Sequence, residues 1–372
     1  MSSASSHNKN EKIPLWSIIL LIVAVLSCII LFIARHNTAF ASFFNRYISG
    51  TVRMILAIVT NYIPFSVAEL LIILLPVLIT LLIVYAIKKR SHSLREIISY
   101  FVILLSCASV IFTLFVFSFG VGYHVPTLYE RFDIPKKDIT ADELYNTAVT
   151  LATETNKRAS YINYGNNGAS VMPYTLSEMN GKLIAAYKET SQKYDFIQGF
   201  SSNIKPVLMS VPMSYTHTTG VYTFFTGEAN LNVDFPDYTL PYTAAHELAH
   251  QRGISRENEA NFTAFLVGIN SSDTYIEYCT YLNMFEYVAS ALYAADAKMY
   301  ESVYSMLSES VKGEISAYSA FYEKYRDSKA GEVSSAINNA YLVANGTSEG
   351  TRSYGLVVDL AVAYFDGYID KK

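Results

Sequence analysis

The chain has 372 residues, a formal net charge of −4 at pH 7 and 51% hydrophobic residues. The length accommodates a membrane part and a globular domain, and the slightly acidic charge excludes a basic surface for nucleic acid. Three cysteines are too few for a disulfide framework or a cysteine-ligated metal site in the globular part.

Three apolar stretches in the first third of the chain are long enough to cross a bilayer. Their predicted bounds are about 15–34, 70–87 and 100–122. Residues 43–62 mix arginine with aromatic and aliphatic side chains and predict an amphipathic helix lying in the membrane interface. The predicted domains are a membrane anchor over 1–122 and a soluble domain over 123–372.

The distribution of lysine and arginine indicates the orientation. The amino terminus and the loop 88–97 together carry six of them, whereas the longer loop 35–64 carries three. Because positive loops stay on the cytoplasmic side, we expect a cytoplasmic amino terminus and an extracytoplasmic carboxy-terminal domain. The prediction is a multi-pass protein of the plasma membrane whose first partner is the lipid bilayer.

The carboxy-terminal part predicts a mainly helical α+β domain. Capping boxes at Thr140–Glu143 and Thr175–Glu178 each open a helix. The stretches 207–213 and 220–227 are rich in β-branched and aromatic residues and predict short strands before the next helix.

Residues 222–233 are the predicted strand edge that holds an extended peptide by backbone hydrogen bonds. Glu228 and Asn230 are candidate substrate contacts on this edge, and the alternative is that they close a turn. His217 is a further candidate for substrate binding, although a lone histidine is more often a structural residue.

The pattern H-E-x-x-H occurs once, at His246-Glu247-Leu248-Ala249-His250. Positions i and i+4 lie on one face of a helix, so His246 and His250 can bind one zinc ion. Glu247 stands beside them as the general base toward a water molecule. A catalytic site of this kind needs a third protein ligand. The alternative is a surface helix with solvated side chains.

The third ligand is expected just downstream. Gly253 can adopt a left-handed conformation that ends the first helix. Ser255 is the predicted N-cap of a second helix from Arg256 to about Gly268.

Glu257 and Asn261 share one face of this second helix. We predict Glu257 as the third zinc ligand and Asn261 as the partner that orients a ligand histidine. Glu259 points to the opposite side and is the reserve candidate.

Three stretches resemble a family of bacterial membrane proteins that is found mainly in Gram-positive bacteria and catalogued as a domain of unknown function. They are Phe225–Val233, His246–Gly253 and Glu257–Phe262, and Gly122–Asp133 fits the same family. The resemblance covers most of the chain from the membrane spans onward. It implies a predicted zinc metallopeptidase without a known substrate.

The segment Glu257–Asn261 is also similar to the ligand helix of gluzincin peptidases, which supports Glu257 over Glu259 and implies a zincin-like fold. Two features depart from known families. The gap from His250 to Glu257 is much shorter than in the best-known gluzincins. The spacing also resembles metzincins, but their third ligand would fall at Arg256, which cannot bind zinc.

The sequence therefore predicts a membrane-anchored metallopeptidase that uses Zn²⁺ to hydrolyse a peptide or protein substrate. The alternatives are a non-catalytic zinc-binding receptor or scaffold with the same fold, and hydrolysis of a non-peptide amide. Because the motif lies outside the predicted spans, an intramembrane protease is disfavoured. The oligomeric state is not indicated.

Overall fold

The computed structural model describes residues 13–89, 94–135, 137–347 and 356–369. Three helices in these ranges are long and apolar enough to cross a membrane. They are α1 (Leu15–His36), α4 (Val67–Lys89) and α5 (Leu94–Ser118). The three predicted apolar stretches are therefore confirmed as helices long enough to span a membrane, which indicates a membrane protein. The third ends at Ser118 and not at residue 122, because Gly120–His124 forms a 3₁₀ turn.

The segment between the first two spans is helical from Thr38 to Asn61 and irregular from there to the start of α4. It consists of α2 (Thr38–Phe43), a π-helical stretch (Phe44–Ser49) and α3 (Gly50–Asn61). Residues 43–61 are helical as predicted, although in several pieces that begin before residue 43, and the position of this segment in the membrane interface stays a prediction. The inward face of α3 buries its side chains, and the outward face presents Ile55, Ile58 and Val59, followed by Tyr62.

The rest of the described chain is mainly helical. Its helices are α6 (Leu128–Arg131), α7 (Ala141–Ala159), α8 (Leu176–Lys193), α9 (Ser210–Ser214), α10 (Thr239–Gln251), α11 (Glu257–Ile269), α12 (Thr274–Ala295), α13 (Ala297–Met306), α14 (Glu309–Glu323), α15 (Lys329–Ala344) and α16 (Val357–Phe365). Both predicted capping boxes are present, at Thr140 and Glu143 and at Thr175 and Glu178.

A three-stranded sheet lies before α10. The strands β1 (Ile204–Pro206), β2 (Gly220–Thr223) and β3 (Glu228–Leu231) have the order β1-β3-β2. β1 is parallel to β3, and β2 is antiparallel to it. The strand predicted over 207–213 is wrong, because this stretch forms a loop and α9.

Residues 207–213 do not form a strand because their backbone N–H groups are missing or engaged elsewhere. Pro212 has no N–H for a strand ladder, and the amides of Leu208 and Met209 donate to the carboxylate of Glu69.

The predicted edge at 222–233 is wrong for most of its length. β3 is the central strand and has a neighbour on each side. The outer strand next to it is β2, so only the first residues of the predicted edge lie on an edge strand. β2 (Gly220–Thr223) and β1 (Ile204–Pro206) are the two outer strands of the sheet.

The helix with the H-E-x-x-H pattern lies at the centre of the main hydrophobic core. All residues of α10 from Thr239 to Gln251 are buried, as expected of a helix covered on every side. Pro241 is accommodated in the first turn, where its missing N–H breaks no helical hydrogen bond. α10 packs on α11, α12 and the sheet, so its side chains are held from several directions.

One buried arginine joins the amino-terminal helices to the rest of the protein. Arg53 Nη1 donates to the carbonyl of Ser118 at 2.7 Å, and Nη2 donates to the carbonyl of Asn45 at 2.9 Å and to Gln198 Oε1 at 3.2 Å. A Cβ at Gly253 would lie 2.3 Å from Nη2. Burial lowers the pKa of Arg53 to about 10, so the guanidinium stays charged at neutral pH.

We predict that Arg53→Ala lowers the thermal midpoint of the full-length protein by roughly 5–10 °C, because buried carbonyls of Ser118 and Asn45 lose their donor. The matched control is Arg46→Ala in the same helical segment. Arg46 is exposed and makes one bond, to the carbonyl of Asp195. The thermal midpoint of the Arg46→Ala variant should stay close to that of the wild type in the same detergent. Equal midpoints for the two variants would show that Arg53 does not hold the segments together.

Candidate metal centre

Two histidines of α10 point into one buried site. His246 and His250 are one helical turn apart, and their Nε2 atoms are 3.0 Å apart. Both residues are buried. The helical spacing inferred from the sequence therefore brings the two imidazoles together as predicted.

The turn after α10 returns the chain to this site. Gly253 has φ = +98°, and its N–H donates to the carbonyl of His250 at 2.9 Å. The predicted left-handed glycine is confirmed. Arg256, and not Ser255, is the N-cap of α11. The Ser255 hydroxyl donates instead to the carbonyl of Phe119 at 3.1 Å, so the predicted N-cap is wrong by one residue.

Glu257 is the third member of the cluster. Its Oε2 lies 3.2 Å from His246 Nε2 and 3.4 Å from His250 Nε2. α10 and α11 are tied together next to this point, because the Tyr242 hydroxyl donates to the carbonyl of Asn261 at 2.9 Å. Two separate helices thus supply three metal-binding atoms to one position.

The separations of these atoms fit a small tetrahedral cation. Bond lengths of about 2.0–2.2 Å at tetrahedral angles place the ligand atoms of a zinc site about 3.3–3.6 Å apart. The observed separations of 3.0, 3.2 and 3.4 Å lie close to that range. Two imidazoles and one carboxylate are also a ligand set of catalytic zinc sites. His246, His250 and Glu257 are therefore the residues that would hold the ion.

A backbone carbonyl orients one of the histidines. His250 Nδ1 lies 2.7 Å from the carbonyl oxygen of Ile254. With its proton on Nδ1, His250 turns the lone pair of Nε2 toward the cluster. The carbonyl of Ile254 thus takes the role that we predicted for Asn261. The Asn261 side chain interacts with the Tyr287 hydroxyl instead.

The electrostatics of the cluster favour a positive charge. Burial lowers the pKa of His250, but the carboxylate of Glu257 outweighs this effect and raises the pKa to about 9. Burial acts in the opposite direction on Glu257, where the two histidines hold the pKa of the carboxyl well below its usual value. A cation between these groups therefore satisfies all three.

Glu247 lies between the cluster and β2. Its carboxylate accepts a hydrogen bond from the backbone N–H of Tyr222. A Cβ at Gly220 would lie 2.7 Å from Glu247 Oε1, so the strand approaches as closely as a glycine allows. Burial raises the pKa of Glu247, although the charges of His246 and His250 oppose this.

The reserve ligand, Glu259, is engaged elsewhere. Its Oε1 accepts a hydrogen bond from the backbone N–H of Leu128 at 2.9 Å and lies 3.4 Å from Arg256 Nη1. The carboxylate therefore fixes the start of α6. Glu257, and not Glu259, is the carboxylate that the structure brings to the histidines.

Glu228 forms a buried ionic and capping contact. It accepts hydrogen bonds from the backbone N–H groups of Val67 at 3.0 Å and Ala68 at 2.8 Å, the first residues of α4. It also pairs with Lys205 Nζ at 2.5 Å and is only 1% exposed. This geometry places the Glu228 side chain inside the fold and not on a peptide-binding edge.

Asn230 and His217 are also held within the fold. The Asn230 amide donates to the carbonyl of Val221 at 3.2 Å. His217 Nε2 lies 2.6 Å from the carbonyl oxygen of Tyr325, and its ring packs at the start of α15. The structure brings neither of them into the cluster of His246, His250 and Glu257.

Aromatic residues that the sequence analysis did not single out surround the site. The ring of Phe119, directly after α5, lies 5.7 Å from the ring of His250 and 5.4 Å from that of Tyr222. Burial, followed by the charge of Glu257, raises the pKa of Tyr287 to about 12. The chain has 30 tyrosines, and no spacing in the sequence distinguishes these members.

The chain belongs to the family described as protein of unknown function, DUF3810, whose model matches residues 40–362. The matched region contains α4, α5 and all three members of the cluster, His246, His250 and Glu257. This confirms the resemblance to a family catalogued as a domain of unknown function. No curated protein and no solved structure matches the chain.

We predict one zinc per full-length chain in the wild type and in Glu259→Gln, and an affinity lower by roughly 100-fold or more in Glu257→Ala. Both glutamates lie on α11, and among the residues that the structure describes Glu257 alone contributes a carboxylate oxygen to the cluster. Metal content after dialysis against a weak chelator measures the difference. Loss of zinc in Glu259→Gln alone would show that Glu259, and not Glu257, is the third ligand.

We also predict that zinc binding releases about one proton per chain at pH 7.5. The reason is that His250, with its pKa raised to about 9, is protonated in chelator-treated protein below that pH. The apparent affinity should rise with pH up to about pH 9 and then level off. Calorimetric titrations in buffers of different ionisation enthalpy count the protons. Binding without proton release at pH 7.5 would show that His250 is neutral in the metal-free site and would contradict its raised pKa.

Proposed function

We propose that this member of the family is a membrane-anchored zinc metallopeptidase with a zincin-like catalytic domain. The observation that carries the proposal is the convergence of His246 Nε2, His250 Nε2 and Glu257 Oε2, with Glu247 next to them. A metal site that only stabilises the fold needs no free carboxylate beside its ligands. The retained Glu247 favours hydrolysis over a receptor or scaffold function.

Zinc held by His246, His250 and Glu257 would supply a Lewis acid that polarises the scissile carbonyl and lowers the pKa of water, so that the water loses a proton more readily and becomes a nucleophile. Glu247 takes the proton of the attacking water and transfers it to the leaving amine. Its burial helps, because a carboxylate with a raised pKa returns the proton more readily. The backbone N–H of Tyr222 holds the carboxylate in place for both transfers.

The outer strand β2 is the element that positions the substrate. An extended peptide can add to Gly220–Thr223 by backbone hydrogen bonds, and the close approach of Gly220 to Glu247 places such a peptide beside the base. The hydroxyl groups of Tyr287 and Tyr341 lie close enough to Glu257 to be affected by its charge. Burial is the main cause that raises the pKa of Tyr341 to about 12, so its hydroxyl remains a donor for developing negative charge.

The proposed location is the plasma membrane, with the amino terminus in the cytoplasm and the catalytic domain outside. The charge count that supports this includes residues 1–12 and 90–93, which lie outside the described part of the chain. The fold agrees with one side for the domain. The start of α4 contacts Glu228 and the end of α5 contacts the carbonyl of Phe224, which supports placing both of these helix ends on the domain's side of the membrane.

We predict that Glu247→Gln retains stoichiometric zinc and loses peptidase turnover by roughly 100-fold or more, because the water loses its base. The assay uses fluorogenic peptide pools and the full-length protein in lipid nanodiscs. Glu189→Gln on the exposed side of α8 is the matched control and should keep full turnover. Zinc-loaded wild type that cleaves no peptide, or Glu247→Gln with unchanged turnover, would refute the proposed peptidase.

A further inference from the structure

An uncharged and exposed apolar segment precedes β2. No charged residue occurs from Pro206 to Thr216. Leu208 is 84% exposed and Val211 is 51% exposed, and Met209 and Tyr215 are exposed beside them. Several adjacent apolar side chains on a surface mark an interaction site.

The backbone of this segment is fixed to the start of a membrane-spanning helix. Glu69, in the first turn of α4, accepts hydrogen bonds from the N–H of Leu208 at 3.0 Å and from that of Met209 at 2.7 Å. The exposed apolar run of α4 begins with the next residue, Leu70. Leu208 and Met209 therefore lie beside the first turn of α4, where its apolar run begins.

The outward face of α3 borders the same region. Lys205, just before the apolar segment, donates to the carbonyl of Thr60 at the end of α3 and to that of Phe65 before α4. The exposed side chains of α3 are spaced so that they form one stripe: Ile55, Ile58, Val59 and Tyr62.

We propose that Val207–Tyr215 and this stripe of α3 form one lipid-contacting surface that enters the bilayer interface beside α4. A lipid partner is favoured because the surface continues an apolar span, contains no charge within 207–215 and carries tyrosines, which prefer the interface. Apolar faces of this kind are buried about 5–10 Å into the boundary between headgroups and acyl chains.

The surface holds the metal centre close to the membrane. The Ser118 hydroxyl at the end of α5 lies 3.1 Å from the carbonyl oxygen of Phe224, in the turn after β2. From there β2 runs four residues, about 13 Å, to Gly220 beside Glu247. On the proposed function, on which this step rests, the substrates are membrane-anchored polypeptides that are cut close to their anchor.

The depth of the segment can be measured with single tryptophans. Trp16 is the one tryptophan of the chain, and Trp16→Phe provides a dark background. Leu208→Trp and Val211→Trp are compared with controls of matched exposure. Tyr161→Trp replaces a residue that is 78% exposed, and Val171→Trp replaces one that is 51% exposed.

Each full-length variant is placed in phosphatidylcholine nanodiscs with plain or brominated acyl chains. We expect bromine to quench the emission of Leu208→Trp and Val211→Trp roughly twofold or more and to leave both controls unchanged. Because all four positions are exposed, the substitutions should leave the fold intact, which circular dichroism checks. Quenching at neither 208 nor 211 would overturn the lipid-contacting surface.

The substrate class is tested with one fluorogenic peptide, with and without an amino-terminal palmitoyl chain, in the same nanodiscs. We expect kcat/KM to be at least tenfold higher for the lipidated peptide, and Leu208→Asp to reduce this preference while Val171→Asp does not. Equal cleavage of both forms would overturn the substrate class. Cleavage of neither form would count against the peptidase itself, and the quenching result would still decide the surface.

Discussion

A partly buried carboxylate between two buried imidazoles favours a positive charge at their centre. Glu257, His246 and His250 face one another at 3.0–3.4 Å, and such polar groups are costly to bury without a partner. The surrounding fold maintains this arrangement. The left-handed Gly253 turns the chain back after α10, and the Tyr242 hydroxyl fixes α11 against it.

The amino-terminal helices contribute to this arrangement directly. Arg53 reaches the turn at Gly253, and Phe119 packs against His250. Two carboxylates connect the span α4 with the sheet region. Glu228, in β3, accepts hydrogen bonds from the first N–H groups of α4. Glu69, in α4, accepts hydrogen bonds from the N–H groups of Leu208 and Met209. A division at residue 122 therefore cuts through buried hydrogen bonds, and the full-length chain is the appropriate unit for experiments.

Local patterns in the sequence were sufficient to predict that His246, His250 and Glu257 come together. The H-E-x-x-H spacing, the glycine after it and the position of Glu257 in the first turn of the next helix all act within about one or two turns. The strand at 207–213 failed because its amides are taken by Glu69, far away in sequence. Glu228 was misplaced for the same reason, since its partners at Val67 and Ala68 lie in a distant span. The orientation of His250 depends on a backbone carbonyl, which no side-chain pattern reveals.

X-ray absorption at the zinc edge of the purified full-length protein tests the central claim most directly. The account predicts one bound zinc with two imidazole nitrogens and carboxylate oxygen at about 2.0–2.2 Å and no sulfur neighbour. Replacing Glu257 with alanine should remove the metal or change its ligand shell. A protein that is folded and binds no zinc, or a zinc without imidazole scattering, would contradict the account.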